Sequence, residues 1–375
     1  MARSHLGSTN VPRATEPGDG ADLLAALGLS FPVPAAADPG YHRAMTTTSA
    51  SAQPTGPDGP ASGTGLTAAD AIRVAAAATA AYAPSTRHVY ASCWRQWARW
   101  CQHRDLTPLP ADPAAVCAYL TERAEIGRCY GTIDQDCCAI AHQHREHGLP
   151  DPISHDAVRR IRRGLRRTLG TAPRRLAHPL SPAEIRQIIA GIDRTAPAGA
   201  RDAALILLGY AGALRSCELA ALDLTDLDLQ PAGLLLRIAR SKTDPDAHGQ
   251  IVPVARGQHA DTDPLVALDR WLARRGRTPG PLFTRVQGSH ITLESISANR
   301  IARLLHQRAQ AAGLNAERIT GHSLRAGHAT TAALNGVGLA RLAAQTRHKD
   351  LTVLLDRYIR PAQALHLTSS RDLGL

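Results

Sequence analysis

Apolar positions recur at three- and four-residue intervals over most of the chain after position 65, which predicts a mainly helical protein. In the first strongly patterned segment, Ser85 is placed to cap a helix carrying Val89, Trp94, Trp97, Trp100 and Cys101. The three-residue spacing sets the indole rings on neighbouring faces, where core packing is their expected role. Further helical periods cover 113–123, 132–147 and 155–168. Ser181-Pro182 then combines a capping side chain with a proline at the first helical position, and helical periods follow at 183–192, 201–212 and 216–222. The pattern changes at 224–229, 234–240 and 251–254, which alternate or run apolar between turn residues and predict a three-stranded antiparallel sheet. Helical periods resume at 264–274, 297–312, 322–335, 339–345 and 351–359.

These elements divide the chain. Residues 1–65, rich in Ala, Gly, Pro, Ser and Thr, lack the periodic hydrophobicity that offsets ordering entropy and are expected to form a disordered tail. Met45 is an alternative start that would remove nothing expected to fold. An all-helical domain is expected over 66–170, a basic linker over 171–180, and a second, mixed but helix-dominated domain over 181–375.

The formal charge is +11 over 375 residues. The tail holds three arginines against five carboxylates, a balance of −2, so the remainder carries +13. Such an excess favours a polyanionic partner through counterion release. Cys93, Cys101, Cys117, Cys129, Cys137 and Cys138 fall in the first helical region without any Cys-x-x-Cys pair, and read as small buried apolar residues in a reducing cytosol. Cys101 and His103 do not have the spacing of a common zinc site. The apolar run 203–214 is far shorter than the roughly 20 residues a bilayer requires, and the segment 23–37 follows acidic residues rather than a positive leader. A cytoplasmic, nucleoid-associated location is the expectation.

Between positions 159 and 175 stand Arg159, Arg160, Arg162, Arg163, Arg166, Arg167, Arg174 and Arg175, with no carboxylate among them. A merely solvated helix face normally mixes signs, so phosphate binding is the expected role. Cutting a phosphodiester without a metal needs fixed donors for the charge that builds on the non-bridging oxygens, and the planar fork of arginine matches those oxygens in pairs. Arg215 follows an apolar helix in Gly-Ala-Leu-Arg-Ser-Cys-Glu-Leu. His322 and Arg325 lie in Gly-His-Ser-Leu-Arg-Ala-Gly-His, at the i and i+3 spacing that lets two side chains serve one phosphate. His328 lies on another face and is expected to pack. A phenol ionises near pH 10, so Tyr358 becomes a nucleophile only where cations stabilise its anion or a base takes its proton, and His348 stands ten positions before it. Lys242 sits where a strand opens into a turn.

These strings resemble those of the tyrosine recombinases, or phage-type integrases, from about residue 66 to about residue 368, and look most like the Cre-like subgroup. The resemblance implies the DNA breaking-rejoining fold, with a helical core-binding domain and a catalytic domain that together grip duplex DNA. It assigns Arg215, Lys242, His322, Arg325, His348 and Tyr358 to catalysis and Glu218 to support. In that reading Arg215 and Arg325 contact the scissile phosphate, Lys242 protonates the departing 5′ oxygen, and His348 contacts the phosphate or accepts the tyrosine proton. Tyr358 attacks to form a 3′-phosphotyrosyl bond. The bond energy stays in that intermediate, so neither ATP, metal nor other cofactor is implied. A homotetramer on two DNA sites is implied as well, monomeric or weakly associated without DNA, with 361–368 as a short helix passed to a neighbour.

The chain departs from the family pattern twice. The family commonly spaces this histidine and tyrosine nine residues apart rather than ten, and Arg347 occupies a position often held by glycine. The extra residue is expected to lengthen the loop before the nucleophile helix; a rotated helix would instead leave a catalytically silent DNA-binding protein. A relaxing enzyme of the type IB topoisomerase kind is the other alternative.

Overall fold

The computed structural model describes residues 67–172, 176–239, 249–348 and 350–359, together with 368, 370 and 373. The tail, Arg174, Arg175, Lys242 and nearly all of 361–368 lie outside the described residues. The chain falls into two compact units, 1–174 and 175–375.

The described part of the first unit is helical throughout: α1 (Ala68–Ala80), α2 (Pro84–Gln102), α3 (Pro113–Glu125), α4 (Tyr130–Glu146) and α5 (Asp156–Leu169). α1 was not anticipated as a separate helix; Thr67 and Asp70 cap its start reciprocally. Ser85 does not cap α2. The helix begins one residue earlier at Pro84, whose fixed φ suits the first position and whose missing N–H is one that needs no partner there. The tryptophans pack as expected: Trp97 is wholly buried, stacked 5.5 Å from Trp100 and edge-on to Tyr119, and its indole donates to the Pro108 carbonyl at 3.0 Å. Four of the six cysteines in this unit are buried, and burial pushes the Cys93 thiol up to about 12 and Cys101 to about 11. Cys129 departs from the expectation, being exposed at the start of α4.

The second unit opens with α6 (Pro182–Ala190), capped reciprocally by Ser181 and Glu184. The almost wholly buried α7 (Pro197–Ala211) follows, then the short α8 (Ser216–Ala221). β1 (Leu227–Gln230), β2 (Gly233–Ile238) and β3 (Gln250–Ala255) form the expected antiparallel sheet in that order, pairing Leu227 with Leu236 and Leu234 with Val254. Leu234, Leu236, Ile238, Val252 and Val254 turn one face into the core. β1 starts three residues later than its apolar pattern suggests, because Asp223 caps a 3-10 turn at Leu224–Asp226. α9 (Pro264–Arg275) packs on α7. An unanticipated hairpin comes next, β4 (Thr284–Gln287) and β5 (His290–Ser295), closed by a two-residue turn at Gly288 and Ser289. α10 (Ala298–Ala311), α11 (Ser323–Leu334) and α12 (Leu339–Thr346) complete the body. α13 (Leu351–Leu354) runs directly into a π turn at Leu355–Ile359.

Two glycines bring the site's elements together. A Cβ on Gly327 of α11 would lie 2.1 Å from the Leu180 carbonyl oxygen, and one on Gly321 would lie 2.1 Å from Ser216 Oγ. Glycine at these positions lets α11 approach the segment before α6, and the residues leading into α11 approach the start of α8, this closely.

Candidate functional site

The site is built where the start of α8, the start of α11, the end of α12 and the π turn converge. Arg215 precedes α8 and turns back on it. Its Nη1 donates to Glu218 Oε1 at 2.6 Å and its backbone N–H to Glu218 Oε2 at 2.9 Å. Glu218 is 2% exposed, and Arg347 and Arg215 hold its carboxyl below the ordinary carboxylate value despite the opposing effect of burial.

Arg325, in the first turn of α11, is completely buried. Nη1 donates to the Ala213 carbonyl at 2.8 Å and Nη2 to the Thr346 carbonyl, while Nε has no acceptor among the described residues. Burial, then the neighbouring Arg215 and Arg347, lower its pKa to about 9, which leaves it charged at neutral pH. Ala213 owes its orientation to a left-handed backbone (φ 49°), uncommon for a residue with a Cβ.

His348 follows α12. Thr346 Oγ1 donates its one proton to the Leu342 carbonyl at 2.7 Å, so toward His348 Nδ1, 2.8 Å away, it can only accept. That assigns the Nδ1–H tautomer and leaves Nε2 as an acceptor 3.5 Å from Arg325 Nη2. Burial first, then Arg325 and Arg215, push the imidazole pKa down to about 4. Tyr358, 6% exposed, packs among Ala326, Ala329 and Leu354, with Oη 2.7 Å from His322 Nε2 and its ring 5.8 Å from that of His348.

Five of the six expected catalytic positions, together with Glu218, thus meet in one place; the sixth, Lys242, lies outside the described residues. His328 packs as expected, its Nδ1 2.9 Å from the Tyr210 carbonyl oxygen. Arg347 is an addition to the expected cluster: it is 7% exposed and donates through Nη2 to Glu218 Oε2 at 2.6 Å. Its sequence signals were its adjacency to His348 and its place at a position often held by glycine. The ten-residue interval contains the π turn at Leu355–Ile359, which takes in one residue more per circuit than an α turn.

Of the arginine run, Val158, Ile161, Leu165 and Leu169 on the opposite face of α5 pack on the first unit's core, leaving Arg163, Arg166 and Arg167 exposed. The run is less free of carboxylates than its sequence suggested. Arg159 pairs with Asp156, and Arg162 reaches Asp134 of α4 at 2.6 Å. No described helix is long and apolar enough to cross a membrane.

The second unit is a helix-dominated body with a small three-stranded antiparallel sheet. The chain's fold is similar to that of lambda integrase in a tetramer bound to a Holliday junction (TM-score 0.54, 17% identity, 74% of this chain and 72% of that one). Residues 178–364 match the phage integrase family. Over 284 residues the chain is 32% identical to the integrase/recombinase XerD homolog of Selenomonas ruminantium, spanning 74% of this chain and 82% of that protein. Over 282 residues it is 26% identical to recombinase Cre of Escherichia phage P1, spanning 70% and 80%. The chain belongs to the phage integrase family, the tyrosine recombinases of site-specific DNA recombination.

Proposed function

We propose that this recombinase cuts and rejoins duplex DNA through a 3′-phosphotyrosyl intermediate on Tyr358. The observation that carries the reading is the placement of the Tyr358 hydroxyl 2.7 Å from an imidazole, in a cluster that includes the charged, buried Arg325. Arg215 and Arg325 hold the non-bridging oxygens of the scissile phosphate, where fixed donors are worth most as charge develops. The Tyr358 oxygen forms a bond to phosphorus and its proton passes to His322 Nε2. The bond from phosphorus to the 5′ oxygen breaks, and Lys242 protonates that oxygen. His348, uncharged, offers Nε2 to Arg325 and helps to orient it. The freed 5′ hydroxyl of a partner strand then attacks the phosphotyrosine and reverses the step. Duplex DNA is the partner, the exposed arginines of α5 bind its phosphates, and four copies act on two sites.

The test uses nicked duplexes drawn from the DNA flanking the protein's own gene, resolved on a denaturing gel. A covalent protein–DNA adduct that disappears in Tyr358→Phe is the expected result. Tight binding to such DNA without any adduct would instead mark a silent DNA-binding protein. Adduct formation with relaxation of supercoils but no exchange between two sites would mark a topoisomerase-like enzyme.

A further inference from the structure

Arg347 stands in a backbone conformation that resists its presence. It follows α12 at φ 54°, ψ 45°, the left-handed region in which a Cβ is costly and glycine is favoured. Its side chain nevertheless runs inward. Nη1 donates to the Gln345 carbonyl at 3.0 Å and reaches the Gly212 carbonyl at 3.4 Å. Nη2 donates to Glu218 Oε2 at 2.6 Å and reaches the Ala213 carbonyl at 3.4 Å.

Both acceptors of Nη2 are shared with a phosphate-binding candidate. Glu218 also receives Arg215 through Nη1 and the backbone, and the Ala213 carbonyl also receives Arg325 at 2.8 Å. The Glu218 carboxylate therefore lies between two guanidinium groups, one on each oxygen. Charge balance follows from that placement. Arg215, Arg325 and Arg347 against Glu218 leave two positive charges in the buried cluster; without Arg347 one remains, and Glu218 is neutralised by Arg215 alone.

We propose that Arg347 is a positioning residue for DNA cleavage, holding Glu218 from the side opposite Arg215 so that the Arg215 guanidinium is fixed in place and left with a net charge to offer a phosphate. The inference rests on the phosphotyrosine reading above. The alternative is a helix cap that happens to be an arginine, and the left-handed backbone separates the two. Arg347→Gly relieves the backbone while removing the side chain and its guanidinium contacts, so a capping role predicts unchanged cleavage in the folded variant.

The experiment measures single-turnover adduct formation at saturating nicked duplex, DNA affinity, and thermal melting by circular dichroism. In Arg347→Gly, at a temperature where the variant is folded, adduct formation at saturating DNA is expected to slow at least about tenfold while affinity changes by less than about threefold. Methylguanidinium added to the glycine variant is expected to restore part of the rate, and tetramethylammonium is not. A glycine variant that cleaves at the wild-type rate overturns the proposal, as does a loss that tracks the unfolded fraction and vanishes on cooling. Failure of methylguanidinium to raise the rate in a folded, DNA-bound variant also counts against it. If the unaltered protein binds the duplex yet forms no adduct, the phosphotyrosine reading itself fails and takes this one with it. A wild-type adduct with an unimpaired glycine variant removes only the role of Arg347.

Discussion

Tyr358 Oη and His322 Nε2 lie 2.7 Å apart, joining the π turn to the first residue before α11. The phenol ring is buried against Ala326, Ala329 and Leu354, so its packing and its reactivity are carried by different atoms. Tyr358→Phe keeps the ring and removes the oxygen. Its stability should fall by no more than about 0.5–1.5 kcal/mol, the net worth of one hydrogen bond, while adduct formation disappears. Urea unfolding beside the denaturing gel checks both; a larger loss of stability would mean that the hydroxyl is mainly structural.

Arg325 is bound to the protein as firmly as it is proposed to bind phosphate. Its guanidinium serves the carbonyls of Ala213 and Thr346, the first of them shared with Arg347 at 3.4 Å. Alanine would remove the donor to the Thr346 carbonyl and open a cavity, so lysine is the informative change. Arg325→Lys is expected to lower cleavage by about 10²–10³-fold. Stability should drop by about 1–3 kcal/mol, with DNA affinity weakened by no more than that amount. Stopped cleavage assays, melting and fluorescence anisotropy separate the three quantities; an affinity loss beyond that range would make Arg325 a docking residue.

His348 makes stability depend on pH in a definite direction. Its imidazole ionises at about 4 in the folded protein against 6.5 in a free chain. Because the folded value is the lower one, the unfolded state takes up the proton first as pH falls. The contribution is complete above about pH 6.5 and is lost progressively down to about pH 4, on the order of 2 kcal/mol after allowance for partial exposure. Melting curves of the wild type and of His348→Gln should converge with falling pH through that window. Burial also lowers the pKa values of His144 and His328, but both titrate in each protein and cancel in the difference.

The sequence revealed elements wherever local pattern and tertiary demand coincide. The Trp97 helix, the largely apolar α7 and the three strands with Leu234, Leu236 and Val254 facing inward are such cases. Where one capping side chain redirected the backbone, as Asp223 does before β1, the boundary moved. The β4–β5 hairpin was missed although Gly288-Ser289 is a hairpin signal, because β4 spans only four residues with a single apolar side chain, Val286. Motif spacing brought out Arg215, His322, Arg325, His348 and Tyr358. It was silent on Arg347, whose partner Glu218 is 129 positions away, and on Arg162, whose pairing with Asp134 crosses between two helices. Ion pairs of that kind are set by packing and leave no local periodicity.

That pairing divides the arginine run of α5 by consequence. Arg163, Arg166 and Arg167 are exposed, so replacing all three with alanine should leave melting nearly unchanged. Each phosphate contact contributes about 0.9 to the slope of log affinity against log salt, so the triple variant should flatten that slope by about 2–3. Arg162→Ala should behave in the opposite way, lowering stability by about 1 kcal/mol through loss of a half-buried pair and changing the salt slope little. Anisotropy titrations at several salt concentrations decide; a triple variant with an unaltered slope would place the DNA elsewhere.

The π turn gives the ten-residue interval between His348 and Tyr358 a physical meaning. An α turn closes a hydrogen bond from i to i+4 and a π turn from i to i+5, so one circuit through Leu355–Ile359 contains one extra residue. A helix that absorbs an extra residue in this way returns Tyr358 close to the direction that a shorter, regular helix would give it. Had the same residue been added within a regular α-helix, Tyr358 would have turned by about 100°. Asp356 is exposed within the turn. Deleting it should therefore convert the segment to regular helix, preserve the approach of the tyrosine to His322, and leave adduct formation within about tenfold of wild type. Inserting one alanine after Asp356 asks for a second π turn, which the packing of Leu354 and Tyr358 against α11 does not accommodate, and adduct formation should be lost. Gel assays on the paired variants check the argument; equal loss from deletion and insertion would show that the ten-residue interval itself is required.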